Sequence, residues 1–130
     1  MDVSVSIDVP SLAEGFRFYS EAFGLEKLAT PYPGVMVLKG ASATITLLER
    51  HEHSKPSPHT TDERHFSRHW TPVHLDFHVQ DFKGALVRAL KAGATQEQVF
   101  EHPQHGSAAF CADPFGNGFC LLQQRPVPAT

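Results

Sequence analysis

Val73–Gly93, VHLDFHVQDFKGALVRALKAG, reads as a strand that turns directly into a helix. Val73 to Val79 alternates apolar and polar residues with period two, the signature of a half-buried strand. Asp81 sits where a helix N-cap belongs, Phe82, Leu86, Ala89 and Leu90 form an apolar stripe, and Gly93 marks the stop. The first residues of the chain carry the same pattern. Val3 to Val9, VSVSIDV, alternates, Pro10 and Ser11 follow, and a helical stripe runs from Leu12 through Phe16 and Tyr19 to Phe23, ending at Gly24. Aligning Val9 with Val79 gives an offset of 79 − 9 = 70, which sets Val5 on Leu75, Ile7 on Phe77, Leu12 on Phe82 and Phe16 on Leu86. Core positions coincide across strand and helix alike, as an internal repeat requires.

Outward from these cores, each half supplies three more strand candidates. They are Glu26–Thr30, Val35–Lys39 and Ala43–Leu48 in the first, and Thr95–Glu101, Ser107–Ala112 and Gly118–Gln123 in the second. The fold class expected is α+β: one domain over 1–130, made of two tandem βαβββ units that form a curved, partly closed mixed sheet with helices outside. Unit one spans 1–49, a linker 50–72 and unit two 73–130. A single four-stranded unit leaves a sheet face uncovered, so pairing with its twin is the simplest burial. The linker is polar, contains Pro56, Pro58 and Pro72, and carries His51, His53, His59, His65 and His69, five of the nine histidines. It is expected to be extended, with one short helical turn starting near Thr61, Asp62 and Glu63.

Composition narrows the function. At 130 residues with 41% hydrophobic and 19% charged, the chain is ordinary for one globular domain. A net charge of −3 offers no basic stripe for nucleic acid, and no apolar run approaches the ~20 residues that cross a bilayer. Neither nucleic acid nor membrane is expected as a partner. The N-terminal MDVSVSIDVPSL has no basic lead and no cleavage signal, which predicts a cytoplasmic protein. Cys111 and Cys120, flanking a turn, are then expected as buried free thiols.

Tandem units of this kind resemble the vicinal-oxygen-chelate superfamily of glyoxalases, bleomycin-resistance proteins and extradiol dioxygenases. VPSLAEGFRFYSEAFGLE is similar to its first helix and VHLDFHVQDFKGALVRALKAGAT to its second, while DPFGNGFCLL (113–122) is similar to its closing hairpin. The combination most resembles the glyoxalase-like domain branch. The resemblance implies a cup holding a divalent metal on His and Glu residues of the first and last strands of each unit. Carried onto this chain, those four positions are Ser4, Thr46, His74 and Cys120, of which only His74 keeps the usual type. Neutral hydroxyls are poor metal ligands. No family metal is therefore expected, and Zn, Ni or Fe is the alternative.

Alternation places Ser4, Ser6 and Asp8 on the cup face of unit one and His74, Asp76 and His78 on that of unit two, with Val5, Ile7, Leu75 and Phe77 facing the helices. Ser4, Ser6, Asp8, Thr46, His74, Asp76, His78 and Cys120 are the candidate ligand-binding set. One reading makes these polar groups a pocket with a few placed contacts. The other makes Asp76 a mere orienter of His74, with Asp8 and His78 satisfying one another at the sheet centre. Should chemistry occur without metal, His74 is the general acid or base and Asp76 fixes its tautomer. His65 and His69 stand at i and i+4, a zinc-binding spacing on a helix, without an identifiable third donor. Phe18 falls off the helical stripe and is available for a dimer contact.

The function these readings favour is a binder, non-enzymatic or weakly catalytic, of a small, partly aromatic molecule, as the resemblance to metal-free bleomycin-resistance members implies. The resemblance also implies a two-fold homodimer, and the net acidity favours a cationic ligand. The alternative is a metal-dependent lyase, isomerase or dioxygenase rebuilt on His74, Cys120 and either Asp76 or His78.

Overall fold

The computed structural model describes residues 1–104 and 106–124. Ten elements follow in chain order: β1 (Ser4–Val9), α1 (Leu12–Phe23), β2 (Glu26–Tyr32), β3 (Val35–Lys39), β4 (Thr44–Glu49), β5 (Leu75–Val79), α2 (Phe82–Ala92), β6 (Thr95–His102), β7 (Gly106–Ala112) and β8 (Gly118–Gln123). They form two four-stranded mixed sheets, ordered β1-β4-β3-β2 and β5-β8-β7-β6, and no closed barrel. In each, the first strand runs parallel to the last and the other pairings are antiparallel. The repeat therefore holds at the level of topology.

It also holds at the level of single hydrogen bonds. Ser11 caps α1 by accepting from Glu14 N–H, and Asp81 caps α2 by accepting from Gly84 N–H. The next orphan amide of each helix is taken by the final residue of the last strand of the same unit: Leu12 N–H donates to Glu49 and Phe82 N–H to Gln123. Helix starts leave such donors unpaired unless a side chain reaches them. At the other ends the units serve one another. The Arg17 guanidinium of α1 donates to the carbonyl of Ala92 at the end of α2, and Arg88 of α2 donates to the carbonyl of Glu21 near the end of α1. Each helix C-terminus, with its exposed carbonyls and negative dipole end, thus receives a cation from its twin.

Period-two alternation sends Ile7 and Val9 of β1, and Leu75, Phe77 and Val79 of β5, into one hydrophobic core beneath the helices. The two units share it: Phe23 of α1 stacks on Phe77 of β5 with ring centroids 4.1 Å apart. Phe18 corrects the expectation of a free dimer contact, for it is fully buried and meets Tyr19, Phe23, Phe115 and Phe119 edge-on or tilted. The physical reason is that α1 is covered from two sides, by its own sheet and by unit two. A position off a single apolar stripe is still interior to such a helix.

The seam is sealed by one buried polar cluster. Asp113, at the start of the β7–β8 turn, is 3% exposed. Its Oδ1 accepts the N–H groups of Phe115 and Asn117, and its Oδ2 accepts Asn117 Nδ2–H and, at 2.6 Å, the hydroxyl of Tyr19 from α1. Burial first, and the carboxylate beside it second, push the Tyr19 hydroxyl well above the usual tyrosine range.

The linker is not a loose tether. His53 N–H donates to Arg64 C=O and Arg64 N–H to Ser54 C=O, closing residues 54–64 into a loop, after which Phe66 packs on the core. No helical turn forms at Thr61–Glu63. There Thr60 Oγ1 accepts the Asp62 N–H instead, a local side-chain bond that competes with helix.

Candidate functional site

The cup face of unit two is built by pairing register. Asp76 on β5 lies opposite Cys120 on β8, Cys120 opposite Phe110 on β7, and Phe110 opposite Gln98 on β6. Residues directly opposite share a face, so the four make one row across the sheet. His74 stands just before β5, two residues from Asp76 and hence on the same side, and its Nε2 lies 3.1 Å from Asp76 Oδ1. Donor atoms of His74, Asp76 and Cys120 all lie within 4.8 Å of one another, the one such metal-competent group among the described residues.

Cys120 is buried, and its thiol is pushed up to about 11, by burial first and then by the charge and hydrogen bond of Asp76. Cys111, its neighbour on β7, turns the other way into the core and is likewise pushed up to about 11, by burial and then by Glu97. Both are free thiols, protonated at neutral pH, and not nucleophiles as they stand.

Against this row lies a cavity of about 170 Å³ whose lining includes His74, Cys120, Phe110, Arg68, Trp70 and Thr71. Three of these come from the linker. Arg68 is fixed by a two-pronged ion pair with Glu97 of β6, at 2.7 and 3.1 Å, and by its contact with the His69 carbonyl. Its guanidinium lies so close over Gly118 that a Cβ there would meet it at 2.9 Å. Gly116, in the left-handed region at φ 86°, is pressed just as closely by the backbone of Ser67. Two glycines of the β7–β8 turn thus let the linker pass over unit two as a strap, and that strap walls the cavity.

The remaining candidates separate. Ser6 and Asp8 meet His74 in an adjoining cavity of about 410 Å³ between the units. Asp8 does not join His78: Arg64 of the strap donates to its carboxylate at 2.7 Å. His78, one strand repeat beyond Asp76, instead borders a larger cavity of about 870 Å³ opening where β1 and β5 end their sheets, lined in part by Val5, Phe23, Ile45, Phe77 and Arg88. Ser4 is exposed opposite Thr44, and Thr46 is half-buried opposite Ser6. His65 and His69 border one cavity but belong to no converging metal-donor group among the described residues, because 61–70 is not helical: His65 meets the ring of His53 edge-on at 5.6 Å, while His69 Nδ1 faces the Ser67 carbonyl at 2.9 Å.

Arg68, Trp70 and Phe110 were not foreseen from the sequence. The one available signal was RHFSRHW (64–70), a cluster of cations and aromatics, with the only tryptophan of the chain, inside a linker otherwise rich in proline and polar residues. The four positions that the resemblance equates with metal ligands do not fit a shared divalent metal. Unit one offers Ser4 and Thr46, hydroxyls that lose a proton too reluctantly to hold such an ion, and among the described residues the converging donor set lies in unit two. No helix among the described residues is long and apolar enough to cross a membrane.

The family model described as the glyoxalase-like domain matches residues 4–122. Among solved structures, a glyoxalase/bleomycin resistance protein/dioxygenase family enzyme of Burkholderia phytofirmans is similar at 18% identity and a TM-score of 0.71, over 95% of this chain and 98% of that one. The genomically encoded fosfomycin resistance protein of Listeria monocytogenes is similar at 16% and 0.71, over 95% and 92%. Lactoylglutathione lyase of Agrobacterium tumefaciens is similar at 16% and 0.65, over 95% and 92%. No curated protein matches the sequence significantly.

Proposed function

The chain belongs to the glyoxalase-like domain family, and from that premise we propose that it binds a small, partly aromatic molecule in its cup without the family metal. The observation that carries this reading is the cavity of about 170 Å³ lined by His74, whose imidazole has the Asp76 carboxylate 3.1 Å behind it. Apolar walls with few, placed polar groups are the usual make-up of a small-molecule site. His74 and Asp76 are the groups that meet the ligand's polar end. With a carboxylate 3.1 Å from its Nε2, the His74 imidazole can accept a hydrogen bond from the ligand, and the same arrangement serves a general base should the ligand react. Ser6 and Asp8 extend the contact surface toward unit one, while His78 borders the separate cavity of about 870 Å³.

The test is ligand-observed NMR on a diverse fragment set, with wild type beside His74→Ala. Binders of the wild type that weaken in the variant are expected. A set whose binding is indifferent to His74 would sink the assignment. The homodimer is part of the proposal. The outer edges of β1 and β5 carry no ladder partner among the described residues, and light scattering on the eluting protein reads the mass directly. Two free thiols suit a reducing, cytoplasmic setting.

A second reading rests on the convergence of His74, Asp76 and Cys120. These three would hold a borderline or soft divalent ion, and the protein would then be a lyase, isomerase or dioxygenase with a rebuilt site. Elemental mass spectrometry of untagged protein, dialysed without chelator, separates the two. Near-stoichiometric metal that vanishes in His74→Ala supports the enzyme reading, and trace metal in both supports the binder.

A further inference from the structure

Of the large aromatic side chains left in solvent among the described residues, Tyr32 stands apart on β2 and the other three gather at one place. Trp70 is 79% exposed, Phe100 45% and Phe110 40%. Phe100 and Phe110 touch edge-on at 5.3 Å on the cup face of β6 and β7, and Phe110 and Trp70 both line the cavity of about 170 Å³ that ends on His74 and Cys120. Burying such rings is strongly favourable, and leaving several exposed around one concavity marks a surface completed by something else. Trp70 is held there by construction. The residues before it are anchored by the Arg68–Glu97 ion pair and by His69 N–H donating to the Gly116 carbonyl, so the indole is carried by a braced segment.

We propose that the strap residue Trp70 and the β7 residue Phe110 form an aromatic clamp, and that the ligand is a single planar ring, uncharged or cationic, bearing a hydrogen-bond donor directed at His74 and Asp76. This rests on the cup of unit two being the binding site. Size, shape and charge each contribute. A volume of about 170 Å³ lies below the ~300–1,000 Å³ of sites for drug-sized molecules, and it admits a substituted ring. Flat aromatic walls favour a flat partner through offset or edge-to-face contact. Of the ionic groups lining the cavity, Arg68 and Glu97 neutralise one another, and just beyond the lining the Asp76 carboxylate stands 3.1 Å from His74 Nε2 and within 4.8 Å of the Cys120 thiol. A donor on the ring is met by the His74 imidazole or, past it, by Asp76, whereas a ring carboxylate would approach a like charge.

The chain has one tryptophan, so its intrinsic indole emission reports on Trp70 alone. Four probes of nearly equal size are titrated: 4-methylphenol, 4-methylaniline, 4-methylbenzoate and the saturated 4-methylcyclohexanol. Emission is excited at the red edge of indole absorption, and ligand-observed NMR gives affinities independently. The phenol and the aniline are expected to shift or quench Trp70 emission and to bind at least about tenfold more tightly than the benzoate or the saturated alcohol, a gap of ~1.4 kcal/mol. By NMR, Trp70→Ala and Phe110→Ala should each weaken the phenol about tenfold, while Trp70→Phe restores most of the loss. Binding of the saturated alcohol as tight as that of the phenol, with both dependent on His74, would overturn the clamp while leaving the cup as the site. Undiminished phenol binding by Trp70→Ala would overturn it too. Failure of all four probes to bind wild type refutes the ring proposal, and the fragment set described above then decides separately whether the cup binds anything.

Discussion

Tyr19→Phe removes one oxygen from the seam between the units, and its cost can be worked from the geometry. The hydroxyl donates at 2.6 Å to Asp113, a buried carboxylate that keeps three other donors when this one is lost. A buried hydrogen bond to a charged group contributes ~1.5–3 kcal/mol, and with three donors remaining the loss should fall near ~2 kcal/mol. For 130 residues at ~2.1 cal/mol/K per residue, the unfolding entropy at Tm is about 0.27 kcal/mol/K, so Tm should fall by about 7 °C. A second signature separates this bond from a generic packing defect. Burial and Asp113 raise the Tyr19 hydroxyl above its unfolded value, so the folded state keeps a proton that the unfolded state releases above pH ~10. That contribution is fully present below pH ~10 and is lost as pH rises beyond it, and the phenylalanine variant should lack this part of the alkaline fall. Calorimetry and chemical denaturation from neutral pH to about pH 11 measure both effects. A variant within about 2 °C of wild type, or one with the same alkaline slope, would refute the claim that this bond ties the units together.

Three further outcomes follow from the same structure. With both thiols near 11, only about one in ten thousand is ionised at pH 7, so native Cys111 and Cys120 should react slowly with a disulfide reagent and completely once guanidinium unfolds the chain; rapid native reaction would contradict their burial. Arg64→Ala leaves half-buried Asp8 without its cation and unpins the strap, and a loss of ~1 kcal/mol with faster proteolysis within residues 50–72 is expected, against no change in cleavage if the strap is held by other means. Gly116→Ala forces a side chain into the left-handed region and against the Ser67 carbonyl, so it should cost ~2–3 kcal/mol and alter Trp70 emission; an unchanged emission spectrum would show that the strap does not rest on this turn.

How much of this was legible depended on the range of the interaction. Both helices and all eight strands were readable because alternation and helical stripes are local, and β3 and β8 begin and end where the pattern places them. The His74–Asp76 pair was readable for the same reason, since residues two apart on a strand share a face. Phe18 was not, because its burial comes from unit two, nearly a hundred residues away in Phe115 and Phe119. The Asp8–Arg64 bond was missed likewise, as nothing in the spacing of a linker arginine reveals which strand it crosses. Trp70 sits in a stretch with no periodicity at all, and its place is set by long-range features, the glycines beneath the strap and the Arg68–Glu97 ion pair.

The exchange of arginines between the helix ends has a consequence for the autonomy of the halves. Ala92 and Glu21 offer carbonyls whose cations, Arg17 and Arg88, are encoded in the opposite half of the chain. Either half alone would end its helix on unmet acceptors and expose the aromatic side of its core, so the repeat is a duplication that has given up self-sufficiency. The two halves have become interlocking parts of one clasp, and a substitution at either arginine is felt at the far end of its twin.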